Sequence, residues 1–140
     1  MSSLRPGTLP AALEAMAATF GNIANLPIAV EIEGQYVTPG EHYEQSLFRI
    51  AQEALANVQQ HANARFVTVR LTSIASLLKL TIADDGVGFA SERQVPGDCG
   101  RGLQNIRQRV REFNGRFRLH PLRHGSLLCV AIDLPGNPAT

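Results

Sequence analysis

Three residues in the stretch Leu47 to Ala62, LFRIAQEALANVQQHA, carry groups that can do chemistry at a regular spacing. Glu53, Asn57 and His61 follow one another at intervals of four, and on a helix each such step turns the chain by only about 40°. A carboxylate, an amide and an imidazole therefore share one stripe. A carboxylate there can accept a proton, and an amide oxygen can bind a hard cation. The same pattern also fits the solvated edge of a core helix, so the stripe needs partners elsewhere in the chain to define a site.

Three further motifs supply candidates. Asp84-Asp85-Gly86-Val87-Gly88-Phe89 follows a strand-like run, and its two glycines permit backbone conformations that other residues resist. Gly100-Arg101-Gly102-Leu103 stands where a polar loop gives way to a helical pattern, and Gly125-Ser126 precedes a final apolar run. Taken singly, these also fit a tight strand exit, a glycine-marked helix start and a turn. The two cysteines, Cys99 and Cys129, form neither a CxxC pair nor a zinc pattern and read as reduced thiols, with Cys129 a small buried hydrophobe.

The elements that position these residues follow from periodicity. Leu9, Leu13, Met16 and Phe20 mark an amphipathic helix over 9–20, ended by Gly21, Asn22, Asn25 and Pro27. Ile28, Val30 and Ile32 alternate with polar positions as in a half-buried strand. Thr38, Pro39 and Glu41 spell a capping box, predicting a central helix from there to Ala62 with Leu47, Ile50, Ala51, Ala54, Leu55 and Val58 on its buried side. Phe66 to Thr72 and Leu77 to Ala83 read as a hairpin, linked by Ser73 to Ser76, with Val67, Val69, Leu71, Leu78, Leu80 and Ile82 inward. A loop over 90–100 leads to a helix from Leu103 to Asn114, which Gly115 is placed to end, and then to strands over 116–120 and 126–134. This alternation predicts an α+β fold, a mixed sheet of about five strands with helices on one face.

Composition sets limits. A chain of 140 residues with 44% hydrophobic and 18% charged residues suits one core that buries roughly two-thirds of the unfolded surface. It holds no apolar run near the ~20 residues of a membrane span, and its first residues lack a signal-peptide core. A net charge of +1 gives no case for nucleic acid as a partner. Seven of the thirteen basic residues lie between Arg101 and Arg123, against the single acid Glu112, which reads either as a solvated helix face or as an anion-binding or partner surface.

In combination and in this order the motifs are far more specific. An E-x-x-x-N helix, D-x-G-x-G after a strand, G-x-G-L opening a helix and Gly-Ser before a last strand resemble the nucleotide-binding fold of the Hsp90, MutL and histidine-kinase ATPases (the GHKL or HATPase_c type). LFRIAQEALANVQQHANA, GRGLQNIRQRV, the ending IDLP and the opening Leu4-Arg5-Pro6 are most similar to the catalytic domain of sensor histidine kinases of the nitrate-sensor-like branch. The resemblance covers Leu4 to Pro135. It implies a two-layer α/β sandwich with three helices on one face. Residues 1–8 would end the preceding dimerisation helix, 9–135 form the ATP-binding domain and 136–140 a tail.

The resemblance also assigns roles. Asn57 is the Mg2+ ligand, Glu53 the acid that polarises the attacking group or a Mg2+-bound water, and His61 a nucleotide-side support. Asp84 accepts a hydrogen bond from the adenine amino group, with Gly86 and Gly88 letting the backbone approach the base. Gly100, Arg101, Gly102 and Leu103 form the second glycine motif, at the hinge of a lid over 90–101 and at a helix start suited to phosphate. Ser126 stands where Thr is usual, and its hydroxyl can bond the Asp84 carboxylate or a water. Asp85 replaces a common Asn, and Gln60 a common Lys or Arg, which removes one phosphate-facing cation. The implied cofactors are ATP and Mg2+. The implied partners are a dimerisation domain bearing the phosphoacceptor histidine, absent from this chain, and a response regulator. The parent would be a homodimer anchored in the inner membrane, and this domain a cytoplasmic monomer when isolated. A stand-alone ATPase or anti-sigma serine kinase of the same fold, and a degenerate interaction domain without nucleotide, are the alternatives.

Overall fold

A computed structural model describes residues 7–59, 64–86, 97–122 and 125–134. Its elements run α1 (Leu9–Ala24), β1 (Ile28–Glu33), α2 (Glu41–Asn57), β2 (Val67–Ile74), β3 (Leu77–Asp84), α3 (Gly97–Glu112), β4 (Arg116–Leu122) and β5 (Gly125–Asp133). The five strands form one mixed sheet in the order β1-β2-β3-β5-β4, with β1 and β2 parallel and every other pair antiparallel. The expected α+β architecture is thus present.

Alternation decides which face of the sheet is covered. Val67, Val69 and Leu71 of β2, Leu78, Leu80 and Ile82 of β3, and Leu128, Val130 and Ile132 of β5 are buried in one core with Leu47, Ile50, Leu55 and Val58 of α2 and Ile106 and Val110 of α3. Burial of a leucine or valine side chain contributes about 1.5–3 kcal/mol, so this layer carries the fold. The opposite face holds Glu31, Arg70, Thr81, Cys129 and Arg118 in one cross-strand row. Cys129 is therefore a half-buried thiol on the helix-free face rather than a core residue.

Several boundaries differ from the sequence reading, each for a physical reason. The first helix runs past Gly21 to Ala24, because Asn25 adopts the left-handed conformation (φ 55°) and its N–H closes onto the Gly21 carbonyl. The predicted capping box does not form. Gly40, at φ 117°, turns the chain into α2, Pro39 is buried ahead of it, and Thr38 accepts the Gly40 N–H instead. The α-helical winding of α2 stops at Asn57, with Val58 and Gln59 in a wider π-type turn; the predicted end at Ala62 lies outside the described residues. The hairpin link is the two-residue turn Ala75–Ser76, not four residues.

The helix expected from Leu103 begins at Gly97, so Gly100 and Gly102 lie inside it and 97–101 are helix rather than loop. Glycine weakens a helix interior by about 1 kcal/mol relative to alanine but does not obstruct its hydrogen bonds, as proline would. At the other end of α3, Asn114 (φ 58°) makes the left-handed turn assigned to Gly115. Gly115 has a packing reason instead: a Cβ there would sit 2.7 Å from the Phe113 ring and 2.9 Å from an Ile132 methyl.

Candidate nucleotide-binding site

Strand register gathers the candidate residues at one end of the sheet. Ile28 lies beside Val67, Val67 beside Asp84, Asp84 beside Ser126 and Ser126 beside Pro121. The start of β5 therefore meets the end of β3. Asn57 ends α2, from which a short connection leads to Val67 at that same end. The last turn of α2, the exit of β3 and the first residues of β5 thus converge.

Asp84 is the best-held group. It is 4% exposed, and its two carboxylate oxygens have different donors: the Gly86 N–H gives to Oδ1 at 2.8 Å and the Ser126 hydroxyl to Oδ2 at 2.9 Å. Each oxygen keeps a second lone pair, so the carboxylate can still accept from a ligand. Burial, aided by the neighbouring charge of Asp85, raises its pKa above the ordinary value, against the lowering effect of the two hydrogen bonds.

Asp85 is perturbed in the other direction. Its Oδ1 accepts the N–H groups of Arg65 (2.8 Å) and Phe66 (3.0 Å), and these bonds, that of Arg65 first, hold the carboxyl below its ordinary range. Asp85 thus ties the β3 exit to the segment that follows α2. Reading the sequence as a row of motifs missed this tie.

Gly125 was likewise visible only as part of a motif. It takes φ 113°, and a Cβ on it would lie 1.8 Å from the Asp84 carbonyl oxygen. The close approach of β5 to the Asp84–Asp85 turn, which brings Ser126 against the carboxylate, needs a glycine on both counts.

Asn57 is the unsatisfied member. It is 4% exposed, and its Nδ2 is buried without a hydrogen-bond partner among the described residues. Leaving a buried polar group unpaired costs about 1–3 kcal/mol, so such an atom calls for an explanation. The two ends of an amide exchange places by a half-turn, so this position can offer an oxygen to a cation or an N–H to a phosphate. Glu53, one turn earlier, is half-buried. Among the described residues no group of three or more His, Cys, Asp or Glu side chains could hold a metal. A cation here would rest on Asn57, waters and a ligand's own oxygens, which suits Mg2+, an ion that keeps much of its water.

His61 and Gly88 lie outside the described residues. Gly100, Arg101, Gly102 and Leu103 all fall within α3, so the free N–H groups at its start belong to Gly97 and the residues after it, not to Leu103.

Known proteins share this fold. Residues 42–136 match the family described as histidine kinase-, DNA gyrase B- and HSP90-like ATPases. The sensor histidine kinase MctS of Rhizobium johnstonii is 30% identical over 130 residues, which is 92% of this chain but 28% of that protein. The chain thus spans little more than a quarter of that relative's length. Among solved structures, the blue-light activated histidine kinase EL346 of Erythrobacter litoralis superposes with a TM-score of 0.73 at 22% identity, over 95% of this chain and 47% of that one. The ATP binding domain of PrrB from Mycobacterium tuberculosis gives 0.72 at 22% identity, over 96% of this chain and 100% of that one. These two likenesses show the fold. Among the described residues no helix is long and apolar enough to cross a membrane. The chain belongs to the family of histidine kinase-, DNA gyrase B- and HSP90-like ATPases, as an ATP-binding domain of the sensor histidine kinase type.

Proposed function

We propose that this domain binds Mg2+-ATP at the end of the sheet where α2, β3 and β5 meet, and passes the γ-phosphoryl group to a histidine on a separate dimerisation domain of its parent. The observation that carries the reading is the buried Asn57 amide nitrogen, unpartnered among the described residues, at the same end of the sheet as the doubly bonded Asp84 carboxylate. Asp84 accepts the adenine amino group, which selects adenine over guanine, since guanine presents a carbonyl at that position. Gly86 and Ser126 keep the carboxylate oriented for that contact. Asn57 gives its amide oxygen to Mg2+. When bound, Mg2+ offsets the charge of the triphosphate and of the phosphoryl oxygens in transfer.

Glu53 accepts the proton from the imidazole nitrogen opposite the attacking one, whose lone pair forms the bond to phosphorus, a role that its half-buried place one turn before Asn57 permits. The backbone N–H groups that open α3 at Gly97 hold phosphate oxygens, with Arg101 as an added cation. His61, Gly88, Gly100, Gly102 and Leu103 complete the nucleotide contacts. Within the family, the wording of the motifs supports the nitrate-sensor-like branch. The parent is then a membrane-anchored homodimer that passes phosphate to a response regulator, with this domain on the cytoplasmic side.

Calorimetric titration with ADP and Mg2+ tests the reading. The wild-type chain is expected to bind in a Mg2+-dependent way, and Asn57→Ala to lose that dependence. Undiminished Mg2+-dependent binding by the variant would overturn the assignment of the site.

A further inference from the structure

Glu44 lies in the first turn of α2 on the buried side of the helix, three residues before Leu47, and is 0% exposed. Nothing in nucleotide binding uses it. A buried carboxylate is costly unless its charge is well supported by hydrogen bonds. Here the Gly7 N–H donates to both of its oxygens, at 2.9 Å to Oε1 and 3.1 Å to Oε2, and the Tyr36 hydroxyl donates to Oε2 at 2.5 Å. Its place in the first turn adds the favourable field of the helix N-terminus.

Glu44 thereby joins three segments that are far apart in sequence: the chain just ahead of α1, the loop between β1 and α2, and α2 itself. Tyr43, beside it, meets Phe113 edge to face at a centroid distance of 5.5 Å, which ties the same turn to the end of α3. Leu9, two residues after Gly7, is fully buried, so the chain is anchored from the clasp onwards. From Glu44 the rigid body of α2 runs about 20 Å to Asn57, at 1.5 Å per residue.

We propose that Glu44 is a positioning residue: by clasping the Gly7 N–H it fixes the angle at which the chain enters the domain relative to the helix that bears Glu53 and Asn57. The clasp itself stands without the kinase reading. Its consequence, that the histidine to be phosphorylated is presented at a fixed angle to the nucleotide, rests on that reading.

Two measurements test it. By NMR on the 140-residue chain, Glu44→Gln is expected to speed exchange of the Gly7 amide about tenfold, because a charge-assisted bond becomes a neutral one. Tyr36→Phe, which leaves the Gly7 contact in place, is expected to keep the protection of that amide. Affinity for Mg2+-ADP should stay within about twofold for both, since each site group is untouched.

In the full-length parent, Glu44→Gln is expected to lower kcat for histidine phosphorylation about tenfold, a loss of about 1.4 kcal/mol, with KM for ATP unchanged. Gly7→Ala strains the clasp from the other side, at φ 83°, without touching the carboxylate, and should reproduce that split even where Glu44→Gln folds poorly. Unchanged Gly7 exchange in Glu44→Gln overturns the clasp. A rise in KM together with the fall in kcat, or no fall at all, overturns the positioning role. If the wild-type parent phosphorylates no histidine, the kinase reading fails while Gly7 exchange still decides the clasp.

Discussion

Asp84 and Asp85 are neighbours whose pKa values are shifted in opposite directions, and the difference separates the proposed binding group from a structural one. The pKa of Asp84 is raised from 3.8, chiefly by burial. The native state therefore holds that proton more tightly than the unfolded chain, so its contribution to stability is present below pH 3.8 and lost as pH rises through the raised value. In the proposed site nucleotide binding runs the other way, since the ionised carboxylate is the stronger acceptor for the adenine amino group. Affinity for ADP is expected to fall on acidification at a pH above the ordinary aspartate range. Asp84→Asn should bind about 10–100-fold more weakly and lose that pH dependence, as the loss of a hydrogen bond to a charged group implies. Calorimetry across a pH series checks both. Asp85 has its pKa lowered from 3.8, so its contribution is present above 3.8 and lost as pH falls through the depressed value. Asp85→Ala should lower Tm by a few degrees at neutral pH by freeing the Arg65 and Phe66 amides, while Asp85→Asn, which keeps an acceptor oxygen, should change little.

At the scale of elements, two glycines separate backbone crowding from side-chain crowding. A Cβ at Gly125 would meet the Asp84 carbonyl at 1.8 Å with φ already at 113°, and neither can give way without moving β3 or β5. A Cβ at Gly115 would press mainly on the Phe113 ring and an Ile132 methyl, which can rotate. Gly125→Ala is therefore expected to cost about 3 kcal/mol or more, and Gly115→Ala about 1–2 kcal/mol, as overpacking does. Urea unfolding midpoints give the order. Similar losses would mean that the β3–β5 approach is more compliant than its geometry implies. The same pair shows what was legible in the sequence. Strand alternation revealed Val67, Val69, Leu71, Leu78, Leu80 and Ile82 as the inward face, because a period of two survives any tertiary context. Glycine was read as punctuation, ending a helix at Gly21 that runs on to Ala24 and starting another after Gly102 that begins at Gly97. Whether a glycine marks a turn or simply makes room depends on what packs against it, as at Gly115. Glu44 escaped for the opposite reason: it continues the apolar stripe of α2 through Leu47 and Ala51, and an acid on that stripe gains its meaning from Tyr36 and from Gly7, 37 residues away.

Across the whole molecule, the site has no owner among the elements. Asn57 comes from α2, Asp84 from β3 and Ser126 from β5, and only the sheet register brings the last two together. A ligand that touches all three adds its binding free energy to the folded state alone, since the unfolded chain offers no such convergence. Saturation to 100 times Kd then stabilises by about 2.7 kcal/mol, which for a domain of this size is several degrees in Tm. Mg2+-ADP is thus expected to raise Tm of the wild-type chain by that amount, and a chelator to remove most of the gain. Under the proposed roles, Asn57→Ala should abolish the part that depends on Mg2+ while keeping a residual shift from adenine at Asp84, and Asp84→Asn should shrink both parts, because the base would be the anchor on which the triphosphate is placed. Scanning calorimetry with nucleotide, with and without chelator, distinguishes these cases. Equal losses in the two variants would show metal and base contacts to be inseparable, and the division of labour between α2 and β3 would have to be abandoned.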